Sequence, residues 1–331
     1  MGKRLLARLL TRCFAAGASL TTPLIAQSTT PVPTAETSAR EHGQTQDLNI
    51  GERDDRMTVP VSIGGRGPYA FVIDTGAERT VLSRQLADRL QLREAERVTI
   101  QGVANSAEVR AVHAPDVTIG KNAVNLERAP LFEAADIGAA GLIGVDALSQ
   151  QRVLIDFKAG TMSVSPSSEP IEHVSGDTIV VRARSYHGRL MFKHAYAGTR
   201  KTMMVIDTGS QHSIGNLALL KELGRHVVLE PDPVLIETVT GQSVTAQIGK
   251  VDELTIDDVR LTGVFIAFAD ASGFKALGLS DRPALLLGMN VMRAFDRVSI
   301  DFAQRRVRFT FPHRESRNEV KLAAALLTRN R

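Results

Sequence analysis

The chain has 331 residues, 43% hydrophobic but only 5% aromatic, with no tryptophan and one cysteine. That length suits two compact domains with cores of Val, Ile, Leu and Ala, and a lone cysteine excludes a disulfide framework. The formal charge of +4 does not point to a nucleic-acid partner, because Lys3, Arg4, Arg8 and Arg12 supply all of it and the remainder is balanced.

Taken in order, residues 1–26 read as an export signal: a basic start to Arg12, an apolar stretch from Cys13 to Ile25, and a cleavage point after Ala26. The stretch is too short to span a bilayer, so no membrane span is expected after cleavage. Cys13 lies within it, and the mature chain would carry no cysteine; a periplasmic or secreted location fits. Residues 27–48 are rich in Thr, Pro, Ser and Gln without apolar periodicity, and read as a flexible linker.

A first domain is expected over 49–164. Val59–Ile63 and Phe71–Ile73 read as a hairpin about Gly64–Pro68; no Lys-Ser/Thr follows the glycines, which excludes a phosphate loop. A short helix is predicted from Ser83 to Leu90. Val98–Val103 and Glu108–Val112 form a second predicted hairpin, with a small, polar tip around Gly102, Ala104, Asn105 and Ser106. A strand through Asp116–Ile119 turns at Gly120–Asn122 into Val124–Leu131. Leu142–Leu148 and Val153–Val164 are expected to close the domain.

Residues 165–176, beginning Ser-Pro-Ser-Ser, read as the linker to a second domain over 177–312. Its expected parts are strands at Ile179–Arg184 and Leu190–Tyr196, a helix over Leu217–Leu223, and a hairpin of Val234–Val239 and Val244–Ile248 tipped by Thr240, Gly241 and Gln242. A basic tail, 313–331, is expected to be peripheral, with a helix over Lys321–Leu327.

The two domains repeat each other. Phe71-Val72-Ile73-Asp74-Thr75-Gly76-Ala77 returns as Met204-Val205-Ile206-Asp207-Thr208-Gly209-Ser210. Leu142-Ile143-Gly144-Val145-Asp146 returns as Leu286-Leu287-Gly288-Met289-Asn290, and Val153-Leu154-Ile155-Asp156 as Val298-Ser299-Ile300-Asp301. Blocks recurring in one order mark an internal duplication, with 11 extra residues between Asp and glycine block in the second copy. A single Asp-Thr-Gly is most simply a strand-ending turn; two with matching flanks are not.

These blocks resemble the aspartic proteases of the retropepsin and pepsin type, and most closely bacterial exported retropepsin-like proteins with two lobes in one chain. Asp74-Thr75-Gly76-Ala77 followed by Thr80-Val81-Leu82 is similar to the retroviral form. The resemblance covers roughly 49–311. It implies a mainly β, bilobal fold of two homologous barrel-like lobes with short helices. It also implies that the two hairpin tips are substrate-binding flaps. Neither flap carries the tyrosine of the pepsins, and Glu78-Arg79 stands where many retroviral enzymes have two acids.

The implied activity is peptide-bond hydrolysis by an Asp74/Asp207 dyad. Two adjacent carboxylates cannot both ionise freely, so one can take a proton from water while the other polarises the carbonyl. Thr75 and Thr208 would bond across the junction, and Gly76 and Gly209 would let backbone approach the carboxylates. Gly144 and Gly288 would pack beneath the motif loops. Ser210 is expected to donate its hydroxyl to Asp207, which Ala77 cannot do for Asp74; on that basis Asp207 would carry more of the negative charge. Asp156 and Asp301 read as structural partners for backbone or Arg. The eight histidines have no metal-ligand spacing, so neither metal nor cofactor is expected. The expected partner is a peptide or protein substrate, and the expected state a monomer. Two alternatives are a non-catalytic peptide-binding protein on the same fold and a hydrolase of a non-peptide amide.

Overall fold

The computed structural model describes residues 57–101, 106–171, 176–237, 243–312 and 319–322. The expected signal 1–26, the expected linker 27–48 and, of the expected flap-tip residues, Gly102, Ala104, Asn105, Thr240, Gly241 and Gln242 lie outside the described residues.

The first half runs β1 (Thr58–Ile63), β2 (Arg66–Ile73), β3 (Val81–Ser83), α1 (Arg84–Leu90), β4 (Glu94–Gln101), β5 (Ser106–Ile119), β6 (Asn122–Phe132), α2 (Ala134–Ile137), β7 (Gly141–Ile143), β8 (Gln151–Asp156) and β9 (Thr161–Pro166). The second half runs β10 (Thr178–Tyr186), β11 (Arg189–Phe192), β12 (Ala195–Ala197), β13 (Arg200–Lys201), β14 (Met203–Ile206), β15 (Ile214–Gly215), α3 (Leu217–Leu223), a 3-10 turn (Gly224–His226), β16 (Val227–Glu237), β17 (Ser243–Ile256), β18 (Val259–Phe268), α4 (Ser272–Ala276), β19 (Ala284–Leu287), α5 (Met289–Met292), β20 (Arg297–Asp301), β21 (Arg306–Thr310) and β22 (Glu319–Lys321).

Local chemistry explains the early elements. In β1 alternate residues are buried, which places Val59, Val61 and Ile63 inside. Gly64 and Gly65 both take positive φ, as a two-residue hairpin turn requires. The two predicted helices form with side-chain caps: Ser83 accepts from the Leu86 amide and, at the equivalent place, Asn216 accepts from the Leu219 amide.

Seven strands of the first lobe order as β1-β2-β7-β3-β6-β5-β4, and a β1–β5 pairing closes six of them into a barrel. Phe71, Ile73, Leu82, Val117 and Leu131 fill it, each 1% exposed or less. The second sheet has 15 strands and holds a corresponding arrangement about β14 and β19. The molecule is thus mainly β, with the bilobal aspartic-protease architecture.

One expectation needs correcting. Val153–Val164 does not close the first lobe: β8 pairs antiparallel with β20, its own duplicate, Val153 facing Ile300 and Ile155 facing Val298. The run β9-β8-β20-β21-β10 joins the second sheet and bridges the lobes. The reason is burial of a shared face, since Val153, Ile155, Val298 and Ile300 line one side of the paired strands and are all buried within one continuous core. Arg152 lies 3.9 Å from Asp301, and Arg297 hydrogen-bonds Asp156, so the same ion pair occurs twice, crosswise. Asp156 and Asp301 are therefore structural. The tail also differs from expectation: Lys321 ends β22, which pairs in parallel with β18, while 323–331 lie outside the described residues.

Candidate active site

Each motif begins where a strand ends. Asp74 follows β2 and Asp207 follows β14, and each of these strands has its glycine block alongside in parallel, β7 in the first lobe and β19 in the second. The Asp74 amide donates to Ile143 O at 2.9 Å, and the Asp207 amide to Leu287 O at 3.0 Å. Backbone pairing therefore fixes both aspartates before any side chain acts.

The threonines lock the two loops together. The Thr75 amide donates to Thr208 Oγ1 and the Thr208 amide to Thr75 Oγ1, both at 3.1 Å. The hydroxyls pass the bonds on, Thr75 to Ile206 O at 2.9 Å and Thr208 to Ile73 O at 2.8 Å. All four bonds are buried and cross between lobes, so the junction is specified by paired donors and acceptors.

The glycines make room. A Cβ on Gly76 would sit 2.6 Å from Asp207 Cγ, and one on Gly209 2.2 Å from Asp74 Cγ. Each carboxyl thus lies against the opposite loop. Gly76 and Ala77 amides donate to Asp74 Oδ1 at 2.8 and 2.9 Å; Gly209 and Ser210 amides donate to Asp207 Oδ1 at 3.0 and 3.2 Å. Gly144 and Gly288 press on the chain just past each motif, where a Cβ would meet Arg79 and His212 backbone at about 2.5 Å.

Supports absent from the sequence-based site sit one layer further out. Thr80 donates its amide and hydroxyl to Asp146 Oδ1 at 2.9 and 2.7 Å, and Ser213 does the same to Asn290 Oδ1 at 2.8 Å each. The same hydroxyls accept from the Gly144 and Gly288 amides. Their duplication in the aligned blocks was the available signal.

The Ser210 hydroxyl does not reach Asp207. It donates to His212 O at 2.6 Å, while Asp207 Oδ1 already accepts two amides. The electrostatic difference between the aspartates comes from elsewhere. Burial raises the Asp74 carboxyl, opposed by the Gly76 and Ala77 amides and then by Arg189. Burial, and next the Asp74 charge, push Asp207 up to about 8. The carboxyls act on each other, so the titration belongs to the pair; Arg189 beside Asp74 and the Asp74 charge beside Asp207 both favour the shared proton on Asp207. That is the reverse of the placement inferred from Ser210. Among the described residues no cluster of His, Cys, Asp and Glu could hold a metal ion.

A two-lobed β fold with one Asp-Thr-Gly loop per lobe, cross-bonded at its centre, defines an aspartic-protease architecture. Family models agree, half by half. Residues 59–150 match the family described as gag-polyprotein putative aspartyl protease, and residues 194–291 match the family described as aspartyl protease. Two matches to aspartyl-protease family models thus lie in tandem along the chain. No curated protein matches it.

Proposed function

We propose that the protein is an aspartic endopeptidase whose single site is the Asp74/Asp207 pair. The observation that carries this reading is the reciprocal Thr75–Thr208 bonding, which seats each carboxyl against the opposite motif loop, where the two act on each other. A peptide-binding protein would need the cleft but no proton-sharing pair, and one carboxyl buried against another is costly to keep without use.

In this reading ionised Asp74 takes a proton from water as the water oxygen attacks the peptide carbonyl carbon. Asp207 gives its proton to the carbonyl oxygen, forming a neutral tetrahedral diol. On collapse the proton held by Asp74 passes to the leaving nitrogen, a diol hydroxyl returns its proton to Asp207, and the C–N bond breaks. Substrates are peptides or unfolded proteins, one chain suffices, and the signal-like residues 1–26 support export to the periplasm or medium.

The test is digestion of a denatured protein mixture in oxygen-18 water, with mapping of the new termini. Internal cleavages whose new carboxyl ends carry one oxygen-18 are expected. Trimming from chain ends alone, or no peptide cleavage beside hydrolysis of small amides, would contradict the endopeptidase reading.

A further inference from the structure

The one cation that reaches the motif loop of Asp74 from the opposite lobe, among the described contacts, is Arg189. It opens β11 behind a two-residue turn, His187-Gly188, in which both residues take positive φ. That turn sits over the first lobe's glycine block, since a Cβ on Gly188 would be 3.0 Å from Val145 Cγ2. Arg189 Nε donates to Gly76 O at 2.6 Å, and Nη1 donates to His187 O at 3.2 Å. The guanidinium is half-buried and held from two sides.

We propose that Arg189 is a positioning residue of the dyad: by clamping the Gly76 carbonyl across the lobe junction, it keeps Asp74 the ionised partner and leaves the shared proton with Asp207. This rests on the dyad reading above. The groups facing Asp74 are the Gly76 and Ala77 amides of its own loop, Asp207 from the end of β14 and Arg189 from β11; the group facing Asp207 is Asp74. Arg293, from the end of α5, acts on His212. Of these, Arg189 is the cation that favours charge on Asp74, and it lowers that carboxyl where burial raises it. The duplication makes Arg56 the counterpart of Arg189, and Arg56 lies outside the described residues.

The experiment compares R189Q, R189K and R56Q on a fluorogenic peptide chosen from the mapped cleavages. The readouts are the pH profile of kcat/KM and carbon-13 NMR titration of the aspartate carboxyls, which needs no turnover. R189Q should raise the acidic limb and the lower titration by about one pH unit. R189K, which keeps the charge, should stay close to wild type, and R56Q should leave the acidic limb in place. An unmoved or lowered limb in R189Q overturns the proposal, as does an R189K shift as large as that of R189Q. An acidic-limb shift in R56Q equal to that in R189Q does so too, because the arginines would then act symmetrically.

Should R189Q not fold, the wild-type protein decides. The Arg189 Nε–H resonance should follow the lower of the two aspartate titrations, and indifference to it overturns the proposal. Failure of the dyad reading looks different, since wild-type protein would then cleave nothing or D74N would retain activity.

Discussion

Two carboxyls buried against each other share one proton over a wide pH range, and the proposed hydrolysis requires that single-proton state. The acidic limb of the pH profile then reports ionisation of Asp74, and the alkaline limb reports loss of the Asp207 proton. Because Asp207 is pushed up to about 8, activity should fall as pH rises through that value. Ser210→Ala should leave both limbs in place, because its hydroxyl is spent on His212 O; an upward move of the acidic limb would show instead that the hydroxyl serves Asp207. The letters Asp, Thr and Gly were legible at this scale because their roles follow from their own backbone. The Ser210 rotamer and the Arg189 contact were not. The first is a choice between two nearby acceptors, and the second joins residues 113 apart in sequence.

At the scale of elements, the strands that join the lobes are held by duplicated ion pairs of unequal burial. Asp301 is fully buried, and its partner Arg152 also donates to Glu169 O at 3.1 Å. Arg152→Met removes a buried cation from Asp301, which keeps the Ser167 and Gln304 donors and Arg308 nearby, so it should cost about 2 kcal/mol in urea unfolding. A loss below about 1 kcal/mol would show the pair to be worth no more than a surface bridge. Arg84 with Glu133, both partly exposed, supplies that comparison. Hairpins and both capped helices could be read from the chain, since turn residues and caps act locally. The destination of β8 could not. Its alternation suits any buried sheet, and only tertiary burial chooses β20 as its neighbour. β22 escaped for the same reason, being a short segment recruited by the β18 edge.

For the whole molecule, the halves are not interchangeable. The second copy has Ser210 for Ala77 and a longer stretch before its glycine block, and that stretch holds α4, which packs against β4 of the first lobe. Such a contact favours pairing first lobe with second and gives a symmetric dimer of either lobe no equivalent. D74N and D207N proteins unfolded together and co-refolded should therefore show no recovered activity, each molecule still lacking one carboxyl. Recovery would mean that lobes exchange between chains.

The shared site is tested most directly by one comparison: kcat/KM of wild type, Asp74→Asn and Asp207→Asn on the same mapped peptide, each protein shown to be folded by its thermal transition. Both substitutions should lower the rate by about 1,000-fold or more, since each removes a proton-transfer group from the same step. Turnover within tenfold of wild type in either folded variant would contradict a shared site built from the two halves.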